Sequence, residues 1–223
     1  MSQAFFTLIQ TGVTAEIADA VRNDPALARS HNANGVSALL WSVYTGQALV
    51  RDFLLAELGR QNVELDVFEA AAVGDRARLA AILNADKEAA DGYSPDGWTP
   101  LHLAAAFATP EAAEALLKHG AEVDAVSKNP QGNRPLHAAL ALSRDPETVR
   151  LLLAAGADPN ATQAAGFTPV FSAAAAGRRD LAELLRRAGA RMQIGNEQGK
   201  TPADFARERG HAELAGWLES QPA

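Results

Sequence analysis

Large apolar residues return along this chain in a two-part pattern. Taking Leu101 as an anchor, equivalent positions fall at Phe5, Leu39, Val67, Leu101, Leu136, Val170 and Ala203, at intervals of 34, 28, 34, 35, 34 and 33 residues. An apolar pair follows the second, third and fourth anchors by 15 and 16 places, Leu54 and Leu55, Ile82 and Leu83, Leu116 and Leu117, and the sixth and seventh by 14 and 15, Leu184 and Leu185, Trp217 and Leu218. One inserted residue moves the fifth pair to Leu152 and Leu153. Within a unit, the anchor and the positions three and four beyond it, as in Leu101, Ala104 and Ala105, share one side of a helix. Each unit therefore reads as a short helix, a turn, a second helix and a returning loop. "TP" at 99–100, 168–169 and 201–202 supplies an N-cap hydroxyl followed by proline at the first helical position. Gly120, Gly156 and Gly189 close the second helices, where a left-handed residue costs glycine least.

A period of this length marks a repeat architecture, so each residue has to be read in register before any single motif is interpreted. The segments "GWTPLHLAAAFATPEAAEALLKHGAEVDA" and "GFTPVFSAAAAGRRDLAELLRRAGA" resemble ankyrin repeats, with the T-P-L-H-x-A signature in phase. The resemblance runs strongly from 67 to 218 and more faintly from 1 to 66. It implies an all-α ankyrin-repeat solenoid of about seven helix-turn-helix repeats with short β-hairpin fingers, forming a single domain over 1–223. Repeat boundaries fall at about 1–33, 34–61, 62–95, 96–129, 130–164, 165–197 and 198–223. "ELDVFEAAAVGD" followed by "YSPDGWTPLHLAAAF" is also similar to a group of bacterial ankyrin proteins of mostly unassigned function.

The departures from the pattern are local. Only a short stretch separates Leu55 from Val67, so the finger between the second and third units is expected to be shortened. "GNRP" at 132–135 puts Arg134 where the cap hydroxyl belongs. The first unit lacks "TP" and the last, "TPADFARERG", carries charges where middle units carry alanine, as terminal caps with a wettable outer face require.

Composition narrows the function. With no cysteine in 223 residues, a disulfide framework and a thiolate metal site are both excluded. A net charge of −7, with acids spread along the chain, disfavours nucleic acid as a partner. The opening "MSQAFFTLIQTG" does not read as a secretory signal, and no apolar run approaches a membrane span, which makes the cytoplasm the expected compartment.

Candidate chemistry is sparse. His102 and His137 hold the third helical position of their units, where the family resemblance implies a histidine that hydrogen-bonds within and between turns. Leu40, Phe68, Phe171, Asp204 and Phe6 stand at the other equivalents. A catalytic histidine needs an orienting carboxylate and a nucleophile, and no such set is visible. His31, His119 and His211 have no ligand spacing, and the common phosphate and nucleophile-elbow motifs are absent. No cofactor and no metal is expected. The sequon at 160–162 reads as idle without a secretory signal. Asn160 resembles a loop asparagine that hydroxylases modify in some ankyrin proteins, with simple loop capping as the plainer role.

The positions left over are on the second side of the first helices, two, five and six places beyond each anchor. The resemblance implies that this side lines the concave face of the stack. Trp41, Tyr44, Leu103, Phe107 and Leu142 are large for a solvated surface and are expected to form one patch across the second to fifth units. Trp98 and Phe167, each directly after a finger-tip glycine, extend it. The sequence thus reads as a non-enzymatic protein–protein interaction module, monomeric, that binds a partner protein through its concave face and fingers. The rival readings are an enzyme or regulatory subunit with a small-molecule site in the concave groove, and a delivered effector.

Overall fold

The computed structural model describes residues 2–143 and 145–222. Fourteen α-helices follow one another in pairs among them: α1 (Ser2–Thr11) and α2 (Thr14–Asn23), α3 (Ala38–Tyr44) and α4 (Ala48–Arg60), α5 (Val67–Val73) and α6 (Arg76–Ala85), α7 (Pro100–Phe107) and α8 (Pro110–Lys118), α9 (Pro135–Ala138) and α10 (Pro146–Ala154), α11 (Pro169–Ala175) and α12 (Arg179–Arg187), α13 (Pro202–Glu208) and α14 (Ala212–Glu219). The odd helices form an inner row, with α7 packed against α5 and α9, and α11 against α13. The even helices form an outer row, with α8 between α6 and α10.

Alanine explains how closely the inner row packs. Ala70, Ala71, Ala104, Ala105, Ala138, Ala139, Ala173 and Ala174 are all buried, so neighbouring backbones approach without large side chains between them. From each outer pair one member is fully buried, as with Leu54, Leu83, Leu116, Leu152, Leu185 and Leu218. Leu55, Leu117, Leu153, Leu184 and Trp217, their partners, pack at the edge of the core.

Helix starts follow the cap chemistry unevenly. Thr99 and Thr201 accept the amides of His102 and Asp204, as their "TP" predicts. Thr168 does not: its hydroxyl is buried without a hydrogen-bond partner, and Phe171 at the third helical position offers no polar group in return. Gly120, Gly156 and Gly189 take φ of +91°, +98° and +92°, as expected at helix ends.

The expected β-hairpins are not formed, since no strand occurs among the described residues. Single bridges, His31 with Ser37 and Gln163 with Phe167, close two of the returning turns. Short polar side chains hold the turns instead: Asn32 Oδ1 accepts from the amides of Asn34 and Val36 at 2.9 and 3.0 Å, and Asn196 Oδ1 from those of Gln198 and Lys200, both at 3.0 Å. Amides committed to side chains are not free to extend a ladder.

The shortened connection has a clear structural outcome. α4 runs on to Arg60, and residues 61–66 lead straight into α5 with no finger between. The fingers on either side lean together across the space. A Cβ placed on Gly35 would lie 3.0 Å from Pro95 Cβ, and Gly35 has φ of +79°, so the tip requires glycine on both counts.

Candidate functional site

His102 is structural. It is fully buried, and its Nδ1 lies 2.8 Å from Thr99 Oγ1 and accepts the Thr99 amide at 3.3 Å. Nδ1 being an acceptor, the ring proton sits on Nε2, which donates to the Asn133 carbonyl at 3.0 Å. Burial pushes its pKa down to about 4. A hydroxyl beside an imidazole would ordinarily suggest a nucleophile and its base. Thr99 and His102 are 1% and 0% exposed, and no substrate reaches them.

The surface expected on the concave side divides in the structure. Tyr44, Trp98 and Phe107 come together. The Tyr44 ring lies 5.4 Å from Phe107 and 6.5 Å from Trp98, and Trp98 stacks on Phe107 at 6.0 Å with 24° between planes. All three are half-buried. Tyr44 belongs to α3, whereas Trp98 and Phe107 belong to the finger before α7 and to the end of α7. The helix between, α5, offers only the buried Ala72 at the level of Tyr44, and the large rings meet over it. Phe107 reaches as far as the α3–α4 turn, where it lines a cleft of about 110 Å³ with Gly46 and Arg51.

The other residues go elsewhere. Leu103 is 0% exposed, a correction to its expected place on the surface: the alanine-rich helices on both sides close over it. Trp41 turns back to the first unit, donating its indole N–H to the Phe6 carbonyl at 3.1 Å and meeting the Phe6 ring edge-on at 6.4 Å. Phe167 joins Phe171 and Phe205 in a second cluster of edge-to-face rings 5.1–5.3 Å apart, remote in sequence from the first. Leu142 is 50% exposed and stands on a π-turn, Ala139–Ser143, which takes up the residue inserted in the fifth unit. The single expected patch is thus one compact aromatic group with outlying members.

Sequence reasoning missed the charge beside that group. The Tyr44 hydroxyl is buried beside the Asp96 carboxylate. Burial, then the nearby Asp96 carboxylate and more distantly Asp66, pushes its pKa far above the usual phenol range. Asp66 caps α5, accepting the Glu69 amide at 2.8 Å, and the Glu69 carboxylate answers by accepting the Asp66 amide at 3.2 Å. Burial raises the Glu69 pKa, against the opposing pull of the Ser37 hydroxyl. The one signal of this arrangement in the sequence is the 28-residue interval. Among the described residues, no group of three or more histidine, aspartate and glutamate side chains converges as a metal site, and no helix is long and apolar enough to cross a membrane.

A family model for ankyrin repeats, described as three copies, matches residues 67–163 and 140–221. Mouse Cyclin-dependent kinase 4 inhibitor B is 37% identical over 121 residues, 54% of this chain and 90% of that protein. Human Cyclin-dependent kinase inhibitor 2A is 38% identical over 121 residues, 54% of this chain and 75% of that one. Mouse Ankyrin repeat and SOCS box protein 16 is 40% identical over 115 residues, 48% of this chain and 25% of that one. These relatives are mammalian and lend no support to the expected likeness to bacterial proteins.

Proposed function

The chain belongs to the ankyrin-repeat family, and on that footing we propose that it is a non-enzymatic module, built of seven repeats in a single domain, that holds a partner protein on its concave face and fingers. One observation carries the reading: three half-buried aromatic side chains, Tyr44, Trp98 and Phe107, gather on the inner side of the stack. Aromatic anchors of this kind dominate binding hot spots. Leu142, exposed in the next unit, adjoins them in register, and Trp41 and Phe167 flank them. The names of two relatives state inhibition of a cyclin-dependent kinase, which supports a protein partner. Ankyrin repeat and SOCS box protein 16 matches at a similar identity, so the likeness follows the repeat and does not single out a kinase.

Affinity capture with the full chain tests this. Trp98→Ala and Phe107→Ala are each expected to weaken a captured partner by roughly thirtyfold, since truncating a hot-spot aromatic costs about 2 kcal/mol or more. Helical content should stay unchanged. Glu114→Ala, on outer helix α8, should leave binding intact. Undiminished capture by both aromatic variants would remove the concave face from consideration.

A further inference from the structure

The two ends of the stack are finished differently. α1 and α13 each have an inner-row neighbour on one side only, α3 for the first and α11 for the second. At the α13 end the outer side is charged: Glu208 pairs with Lys200 at 2.6 Å, and Arg207 with Glu219 at 2.5 Å. That end meets the need of a repeat array for a wettable cap. α1, by contrast, has no charged residue from Ser2 to Thr11. Beside it an open groove of about 370 Å³ lies between α1, α2 and the 3-10 turn Pro25–Arg29. Its apolar lining is Ala4, Phe5, Leu8, Ala20 and Leu27.

Repeat register identifies this face. Ala4, Leu8 and Ala20 correspond to Ala38, Ser42 and Leu54 of the second unit, which are each 0% exposed because the first unit covers them. In the first unit Ala4 is exposed and Leu8 and Ala20 are half-buried. The groove therefore continues the surface through which one repeat packs on the next, with no repeat laid on it. Its charges are already settled. Arg22 and Asp19 pair at 2.5 Å, Asp24 accepts the Ala26 amide at 3.1 Å, and Glu16 stands outside the lining. In a chain of net charge −7, a second copy is opposed wherever unpaired acids face it, and this uncharged end is where that opposition is weakest. The ion-paired α13 end offers the groove no apolar counterpart, which rules out head-to-tail growth. The groove is its own complement, since small Ala4 and Ala20 and the larger Leu8 and Leu27 belong to one patch and supply hollow and projection together, as a twofold contact requires.

We propose that two copies of this chain associate reversibly through their first repeats, groove to groove about a twofold axis, with Leu8 of each copy entering the groove of the other. Two short helices and a turn present less than the roughly 800 Å² per partner of a standard interface, so the pair is weak and forms only at high concentration. The concave side of each copy stays free. A pair joined in this way offers two docking surfaces at once, although the contact itself does not depend on what those surfaces bind.

Sedimentation equilibrium of the full chain tests this, at concentrations up to about 1 mM, where an affinity of even about 4 kcal/mol is visible. A monomer–dimer equilibrium is expected, with no larger species. Leu8→Glu is expected to weaken it at least about a hundredfold, because a twofold contact sets the new carboxylate of each copy against the acidic partner copy. If Leu8→Glu loses helical content, Ala4→Glu at an exposed position takes its place. Since the chain has no cysteine, Ala4→Cys and Leu142→Cys each carry a single thiol for a flexible bismaleimide. Ala4→Cys is expected to give covalent dimers, and Leu142→Cys, equally apolar and on the concave side, to give none. A wild type that stays monomeric throughout would overturn the proposal and leave the groove to a segment of another protein. A dimer that the glutamate variant leaves intact, or crosslinking at Leu142→Cys in place of Ala4→Cys, would overturn it as well.

Discussion

The turns at Thr99–His102 and Arg134–His137 occupy the same place in adjacent repeats and share the run Pro-Leu-His, yet one is closed and the other open. At the first, hydroxyl, imidazole and two backbone groups satisfy one another, and eight residues of regular helix follow. At the second, Arg134 has no acceptor to offer the helix and sends its guanidinium to the Thr162 carbonyl at 2.9 Å. His137 Nδ1 still accepts the Arg134 amide at 3.3 Å, but buried Nε2 makes no hydrogen bond of good geometry and is left with weaker contacts to the Phe167 and Ala161 carbonyls. The helix then lasts from Pro135 to Ala138 before it widens into the π-turn. A tripeptide shared by two repeats is thus not the unit of structure. The cap residue before it and the length of chain after it decide whether the histidine is tied in.

The largest test of this comparison is acid titration. Burial lowers both imidazoles to about 4, against an ordinary value of 6.5. Between those limits the unfolded chain binds more protons than the folded one, so stability falls as pH drops from about 6.5 to about 4 and the histidine contribution levels off below that. Each imidazole contributes at most on the order of 3 kcal/mol. Urea unfolding at neutral pH and near pH 5 should show the loss, and His102→Leu or His137→Leu should each remove about half of it. An acid slope unchanged by either variant would mean that neither ring is held neutral by the fold.

Next in size, His102→Ala is expected to cost about 3 kcal/mol and His137→Ala about 2 kcal/mol, because the first also strands the Thr99 hydroxyl and the Asn133 carbonyl. Equal losses in urea midpoints would show that packing, and not hydrogen bonding, separates the two turns. The smallest effect concerns the caps. Thr99→Ala should cost about 1 kcal/mol, whereas Arg134→Thr should gain less than about 1 kcal/mol, since the new hydroxyl is offset by loss of the Thr162 contact. A destabilised Arg134→Thr in thermal melts would show that the arginine is the better residue there.

Repeat period, anchors, outer pairs and glycine-ended helices were legible in the sequence because each recurs at a fixed spacing, and recurrence filters out local accident. The concave surface was legible only in part. Helical spacing says that Leu103 and Tyr44 share a face with their neighbours in register, but not what the adjacent helix presents to them. The alanine-rich helices on either side of Leu103 let the row close over it, and the alanine beside Tyr44 opens room for rings from two repeats away. The inserted residue of the fifth unit showed in the 35-residue interval, whereas its absorption in a π-turn that lifts Leu142 into solvent did not. The failed cap at Thr168 had the right dipeptide and the wrong residue three places on.

The meeting of Tyr44 with Trp98 and Phe107 across α5 also bears on how the molecule melts. In a linear array each repeat touches only its neighbours, and unfolding is described by intrinsic terms and nearest-neighbour couplings. Here the second repeat is tied to the fourth over the top of the third. The third repeat cannot open alone without pulling those rings apart, so the middle of the stack acts as one cooperative block of three, and an Ising description of this chain requires a second-neighbour term at that point.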